Sequence, residues 1–234
     1  MASLGDSTAL DEAADAEDEP FLNRDVIKLL SRWRNEKYAP EVLPFDGEVV
    51  ENLSEVVEFV SETLEDERAE EIQDPNDPDC SLRRMDLERV KYVLRDYLRI
   101  RLWKLSQWPQ HYLEPNNLRF LSDAERLWLR EFWDVKKEFL DHRLLKALPL
   151  PKQGLSDTID LLDMVRRPAL DKHVYARILG DVGPVEIPPS FTQDSSGSLP
   201  EPLNLIEGRT YLLRYSLVRK FLTDLERPDL VQLV

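Results

Sequence analysis

The residue types that most often do chemistry are few in this chain and lie far apart. The three histidines, His111, His142 and His173, are spaced 31 residues apart, and none belongs to a metal-binding motif such as HExxH. The single cysteine, Cys80, follows a loop of Asp and Pro residues and lacks the signature of a catalytic thiol. The seven glycines form neither GxxxxGKS/T nor GxGxxG, so no phosphate-binding loop is predicted. We therefore expect no catalytic residue, no metal site, no cofactor and no enzymatic activity.

The net charge restricts the classes of partner. The 234 residues carry a formal charge of −15, which argues against a general DNA or RNA binder, because such proteins neutralise phosphates with Lys and Arg. One cysteine fits a reducing compartment. The N-terminus lacks a secretory signal, and no apolar run approaches the roughly 20 residues of a membrane span. We expect an intracellular protein that does not contact a membrane.

Hydrophobic periodicity predicts an α+β fold in which an all-α N-terminal domain precedes a small β-rich domain. All five Trp lie before residue 149, whereas nine of the sixteen Pro lie from there onward. The predicted divisions are a disordered acidic tail at 1–20, a helical domain at 21–148, a linker with a short helix at 149–167, and the β-rich domain at 168–234. The four main helices are predicted at 23–37, 47–71, 84–105 (continuing to Trp108) and 122–147. At the start of the last helix, Ser122 and Glu125 are predicted to form a capping box. The strands are predicted at 173–179, 182–187, 203–206, 210–215 and 230–234.

The third predicted helix differs from the rest of the chain in charge and in apolar width. Residues 83–104 hold eight basic and three acidic side chains within an acidic protein. The apolar residues form two neighbouring rows, which indicates a helix that packs on more than one side. The first row is Val90, Val93, Tyr97 and Ile100, and the second is Leu87, Leu94, Leu98 and Leu105.

Several strings, in register from Leu22 to the C-terminus, resemble the Sld-five-type subunit family of the GINS complex. WRNEKYAPEVL at 33–43 is similar to the family's W-x-N-E-K-x-A-P-E-L-L signature. MDLERVKYVL at 85–94, followed by YLRIRLWK at 97–104, resembles its long third helix. PALDKHVY at 168–175 is similar to the entry into its β domain, and 213–215 and 231–234 match its closing segments.

The resemblance implies a non-catalytic, nuclear subunit of a heterotetramer with three sister GINS subunits. In that family the tetramer joins the MCM ring and the Cdc-forty-five protein in the replicative CMG helicase, which acts in initiation and elongation of DNA replication. Any DNA contact is then at most indirect. A further hypothesis places a docking peptide for a trimeric replisome hub in the acidic tail, around Leu10 and Asp11.

The same resemblance implies that the third helix is both core and subunit interface. We expect its first row to face the chain's own core and its second row to meet another subunit. The residues predicted to form subunit interfaces are Trp33, Leu87, Leu94, Arg95, Tyr97, Leu98, Arg99, Arg101, Leu105, Tyr175, Arg214, Tyr215, Leu233 and Val234.

One alternative stays open at this point. The chain could be a stand-alone helical adaptor whose basic helix at 84–105 binds an acidic partner or a nucleic acid. Such binding would weaken steeply with salt, whereas an apolar subunit interface would be largely indifferent to it.

Overall fold

The computed structural model describes residues 23–69, 78–149, 153–156, 158–159, 162–186, 202–224 and 229–234. The described helices are α1 (Arg24–Tyr38), α2 (Gly47–Ala69), α3 (Pro78–Gln107), α4 (Pro109–Tyr112), α5 (Pro115–Leu118), α6 (Asp123–Arg143) with a 3₁₀ turn (Leu145–Ala147), and α7 (Tyr215–Leu222). The described strands are β1 (Thr158–Ile159), β2 (Leu162–Asp163), β3 (His173–Ile178), β4 (Pro184–Val185), β5 (Leu203–Asn204), β6 (Thr210–Arg214) and β7 (Val231–Leu233). The predicted α+β class, with helices first and a small antiparallel sheet second, is confirmed.

The helical part has two neighbouring cores that share α3. One lies where α1, α2 and α3 meet, around Leu29, Leu53 and Tyr97. The other is built around Leu105 and Leu129, where the C-terminal end of α3 meets α6. α3 is 30 residues long, about 45 Å at the usual helical rise. This length lets one helix serve both cores.

The C-terminal part is a three-stranded antiparallel sheet of order β6-β3-β7, covered on one face by α7. In β3, Val174, Ala176 and Ile178 are buried, and the residues between them are exposed, as expected when one sheet face packs on a core. The helix α7 buries Tyr215, Val218 and Leu222 at spacings of three and four. Ala39 and Leu43, from the segment after α1, belong to the same core. The sheet is therefore packed directly against the helical part.

Three element predictions differ from the structure. The third helix begins at Pro78 rather than 84, because proline fits the first turn of a helix, where its missing N–H is not needed. The short helix predicted in the 149–167 linker is wrong: Thr158–Ile159 and Leu162–Asp163 form the antiparallel pair β1–β2 there. Asp163 accepts a hydrogen bond from the Val165 amide at 2.9 Å, a local turn contact that competes with helix formation. The helix α7 was not predicted, since its Tyr, Val and Phe residues are also typical of strands.

Other predictions lie partly outside the described residues. The acidic tail at 1–20 is one of these, and so is the end of the strand predicted at 182–187, of which Pro184–Val185 is described as β4. The boundaries drawn after residues 20, 148 and 167 stay predictions. Among the described residues, no helix has the length and apolarity required to cross a membrane.

Candidate functional site

The polar centre of the molecule is Arg101, in the second half of α3. Its side chain is fully buried, and all five guanidinium N–H groups donate hydrogen bonds. Two reach the Glu125 carboxylate at 2.7 and 2.9 Å, and one reaches Glu36 at 3.1 Å. The other two reach the carbonyl oxygens of Leu43 and Phe120, at 2.7 and 3.0 Å. Burial by itself lowers the pKa of Arg101, but Glu36 and Glu125 outweigh it and raise the pKa, so the charge is retained.

Lys104 lies one turn further along α3 and uses the same acidic partner. Its ammonium donates to the Glu36 carboxylate at 2.7 Å and to the Glu41 carbonyl at 2.8 Å, and also to the Glu36 carbonyl. Burial lowers the pKa of Lys104, and the charge of Glu36 opposes that shift. Both cations therefore serve to hold the end of α1 and the segment after it against α3.

The segment from Asn35 to Leu43, which we call the joint, also holds the sheet. The Glu41 carboxylate accepts from the Tyr215 hydroxyl at 2.8 Å and from two Arg219 nitrogens at 2.6 and 2.8 Å. The Asn35 side chain accepts from the Leu233 amide at 2.7 Å. Burial, reinforced by the charge of Glu41, raises the pKa of Tyr215, which keeps its hydroxyl a donor. The joint thus binds α3 on one side and the sheet on the other.

The joint lies within the string WRNEKYAPEVL at 33–43, and the side chains of Asn35, Glu36 and Glu41 are occupied by structural hydrogen bonds. Within the described ranges, no group of three or more His, Cys, Asp or Glu residues is arranged to hold a metal ion. Burial lowers the pKa of His111, whose ring lies near the Asn117 side chain.

Several residues predicted to form subunit interfaces lie inside the chain, and those predictions are wrong. Their side chains are buried against the chain's own helices and sheet, so they present no surface to another subunit. These residues are Tyr97, Arg101, Leu105, Tyr215 and Leu233.

The second row of α3 is also turned mainly inward. Leu94 and Leu98 pack against the core of α1, α2 and α3, and Leu105 is buried at α6. Trp33 packs on the same core and donates its indole N–H to Asp96 at 2.7 Å. The expected division, with one row of α3 for the core and the other for a partner, is not what the structure shows. Residues of both rows pack into the interior because α3 contributes to both cores.

Of the remaining predicted interface residues, Arg95, Arg99, Tyr175 and Val234 are exposed, and Leu87 and Arg214 are half-buried. Leu10 and Asp11 lie outside the described residues. The structure brings Tyr175 and Val234 together, because the Val234 amide donates to the Tyr175 carbonyl at 3.0 Å.

Tyr175 and Val234 belong to a surface that we call the outer sheet face (Tyr175, Leu212 and Val234). Tyr175 and Leu212 are paired across β3 and β6, and the three side chains are 57%, 55% and 53% exposed. Leu212 was missed as a surface residue, although strand alternation with Tyr211 and Leu213 would have placed it opposite to them. An apolar and aromatic cluster of this kind on a sheet is typical of a protein interface.

A second apolar surface lies on α6 and was also missed. The rings of Trp128 and Phe132 stack with centroids 5.0 Å apart, and Val135 and Phe139 on the same side of the helix are exposed. Their spacing of four, three and four residues is a helical period that the sequence displays. We call these four residues the α6 outer face.

These features define a class of protein: a helical bundle with a docked sheet, whose buried Arg101 and Lys104 are hydrogen-bonded inside the fold and whose surface carries exposed apolar clusters. Residues 56–142 match the family described as Sld5, GINS complex protein helical bundle domain. Residues 168–224 match the family described as SLD5_C, DNA replication complex GINS protein SLD5 C-terminus.

Relatives that match over most of their own length are also named GINS protein SLD5. An Arabidopsis thaliana protein named DNA replication complex GINS protein SLD5 is 33% identical over 213 residues, covering 88% of this chain and 91% of the relative. The Homo sapiens protein of that name is 30% identical over 215 residues, with coverages of 89% and 88%. The Schizosaccharomyces pombe protein is 31% identical over 203 residues, with coverages of 86% and 89%. The chain belongs to the SLD5 family of GINS complex proteins.

Proposed function

We propose that this chain is a non-catalytic structural subunit of the GINS heterotetramer, acting in DNA replication in the nucleus with three sister subunits. The observation that carries the proposal is the match to relatives named GINS protein SLD5 over 88% of the chain. The outer sheet face and the α6 outer face support it, because exposed apolar clusters mark surfaces that are covered in an assembly.

At a finer level, we propose that the tetramer works within the replicative CMG helicase, with the MCM ring and the Cdc-forty-five protein, in initiation and elongation. The support is the register of sequence strings shared with the family. Arg101 and Lys104 bind Glu36 inside the fold and hold the joint in place. This supports a scaffolding role for the chain. It also weakens the adaptor alternative, because two of the basic residues counted on the third helix do not reach the surface.

The acidic tail carries a separate hypothesis, docking of a trimeric replisome hub through Leu10 and Asp11. Its support is the faint resemblance to the family's docking peptide and the seven acids of residues 1–20. Deletion of residues 1–20 should abolish pull-down of the hub while the tetramer persists. Unchanged pull-down would remove this hypothesis and leave the subunit proposal standing.

The test is co-expression with the three sister subunits, followed by size-exclusion chromatography with mass measurement. We expect one particle with one copy of each subunit, and self-association of the chain when expressed alone, because its apolar surfaces are then uncovered. A monodisperse monomer that does not bind the sister subunits would contradict the proposal.

A surface variant gives the test a matched control. Leu212→Asp places a charge in the outer sheet face, and we expect it to weaken co-purification with at least one sister subunit. Ile206→Asp changes a side chain of similar exposure in the turn between β5 and β6 and should assemble as the wild type does. Equal behaviour of the two variants would exclude the outer sheet face as an interface.

A further inference from the structure

A groove between the first half of α1 and the first half of α3 is open to the outside, and we call it the α1–α3 groove. Its volume is about 580 Å³. Met85 and Tyr92 are the most exposed of its apolar side chains, at 44% and 62%. The apolar lining includes Val26 and Leu30 of α1 and Met85, Val90, Tyr92 and Val93 of α3. Contiguous apolar surface of this kind marks a place where another segment binds.

The N-terminal end of α3 extends beyond the start of α1. Trp33 donates to Asp96 and Glu36 accepts from Arg101, so the two helices run in the same direction. Continued at the usual helical rise, this pairing places the start of α1 opposite about position 87 of α3. Roughly nine residues of α3, about 13 Å, then have no part of α1 beside them. Leu82, which is 53% exposed, lies in this stretch at helical spacing from the groove residues of α3.

The part of the chain that the structure describes begins at Asn23, beside the α1–α3 groove. The Asn23 side chain caps α1 by accepting from the Asp25 amide at 2.9 Å. The two residues before this cap are Phe21 and Leu22. An apolar residue before an N-cap often packs on the fourth residue of the helix, here Ile27, which is 41% exposed. Such a contact fixes the angle at which the chain enters the helix, and four extended residues before the cap span about 13 Å.

The charges at this end of α3 suit an acidic segment. Residues 1–20 hold seven acids and no Lys or Arg. Arg83 and Arg84 are exposed, and neither makes an ion pair with another described residue. Two nearby acids are already paired with basic residues of α3: Asp86 with Arg89 at 3.2 Å and Glu88 with Lys91 at 3.5 Å. The two arginines therefore leave positive charge for carboxylates that reach them.

We propose that segment 17–22 of this chain docks on the α1–α3 groove and covers its exposed end. Phe21 and Leu22 pack on Leu82 and Met85, and the acids of the segment face the two arginines. Because the segment is joined directly to α1, its effective concentration at the groove is on the order of millimolar, which favours it over a separate chain. The rest of the acidic tail then leaves the molecule from the N-terminal end of α3.

The first test identifies the occupant of the groove. A photo-crosslinking amino acid in place of Phe21 in the full chain should link to residues 82–93, and the product should keep the mass of one chain on a denaturing gel. The same amino acid in place of Ser7 is the control and should give about one tenth of that product or less, because effective concentration falls with the length of the tether. A product with the mass of two chains would overturn the inference, and so would equal yields at the two positions. When the co-expressed complex is irradiated, a link to a sister subunit in place of residues 82–93 would also overturn it.

The second test uncovers the groove. Phe21→Ser/Leu22→Ser should make hydrogen exchange about fivefold or more faster over residues 78–90, measured by mass spectrometry, with α6 unchanged. The matched control, Leu4→Ser/Leu10→Ser, makes a similar change further along the tail and should leave exchange as in the wild type. Unchanged exchange in the first variant would overturn the inference. Equal acceleration in the two variants, or equal acceleration of α6, would overturn it as well.

Discussion

At the scale of single residues, the molecule depends on charged groups that were expected on its surface. Arg101 was predicted at a subunit interface, yet it is the most fully bonded side chain at the centre of the fold. A buried cation with five donors is tolerated because two carboxylates and two carbonyl groups replace the lost water. Substitution at this position therefore tests folding and does not test assembly.

Arg101→Met should lower the free energy of unfolding by about 3 kcal/mol or more, since it leaves Glu125 buried without its cation and Glu36 with Lys104 alone. Urea unfolding of the full chain, followed by tryptophan fluorescence, measures the loss. Arg130→Met, at an exposed position on α6, is the control and should change stability by under about 0.5 kcal/mol. A loss below 1 kcal/mol for Arg101→Met would contradict the assigned role.

Tyr97 provides a pH test at the same scale. Burial raises the pKa of its hydroxyl to about 12, from 10.0. Because the folded-state pKa lies above the unfolded value, the stabilisation is complete below pH 10 and is lost as the pH rises through 12. Ionisation of Tyr97 therefore lowers the free energy of unfolding by about 3 kcal/mol in total, at 1.36 kcal/mol per pKa unit.

The measurement for Tyr97 is the change in unfolding free energy between pH 9 and pH 11.5 in the wild type and in Tyr97→Phe. The variant should show a smaller loss over that interval, because it has no hydroxyl to ionise at this site. Identical losses would show that ionisation of Tyr97 does not contribute to the loss of stability at alkaline pH. Burial also raises the pKa of Tyr112 and Tyr215, so part of the loss should persist in the variant.

At the scale of elements, a side-chain cap marks the predicted start of α6 in the structure. The capping box of Ser122 and Glu125 was predicted, and in the structure the Glu125 amide donates to the Ser122 hydroxyl at 3.2 Å. The Ser122 amide donates back to the Glu125 carboxylate at 3.0 Å. The same carboxylate also binds Arg101, so the start of α6 is connected to the centre of the fold.

Ser122→Ala should destabilise the chain by about 1 kcal/mol through loss of the cap. Thermal or urea unfolding provides the measurement. Ser54→Ala, within α2, removes a hydroxyl that bonds only to the carbonyl of the preceding turn and should be nearly neutral. A larger loss for Ser54→Ala than for Ser122→Ala would contradict the role of the capping box.

The elements that were missed share a physical cause. The residues of α7 have strand-like composition, and they form a helix because a buried face of Tyr215, Val218 and Leu222 covers the sheet. The 155–165 region has helix-like spacing, but Asp163 bonds locally to the amide of Val165. In both cases tertiary or turn contacts outweighed the local preference on which the prediction depended.

At the scale of the whole molecule, the joint makes the helical part and the sheet depend on each other. Ala39 and Leu43 lie in the core of the sheet, and Glu41 binds both Tyr215 and Arg219. A sheet of this size has a small core of its own, so its stability depends on that docking. The orientation of the outer sheet face relative to the helical part is thus set by bonds within this chain.

Glu41→Ala should loosen the sheet selectively. Hydrogen exchange measured by mass spectrometry should show about tenfold or more faster exchange in β3, β6 and β7, with α2 and α6 little changed. Glu207→Ala, at an exposed turn, is the control. Uniform loss of protection over the whole chain, or none, would contradict a separate docking role for Glu41.

The sequence by itself determined the α+β class and the positions of the main helices along the chain. It also determined the alternation of buried and exposed residues in β3, the capping box of Ser122 and Glu125, and the family. Each of these depends on spacing along the chain or on short strings, which a sequence contains directly. Only the tertiary structure decided that Arg101 and Leu105 point inward while Tyr92, Arg95 and Trp103 point outward. Periodicity places residues on a helix face but does not say which neighbour that face meets. That choice depends on contacts such as Glu41 with Arg219, which join residues 178 positions apart.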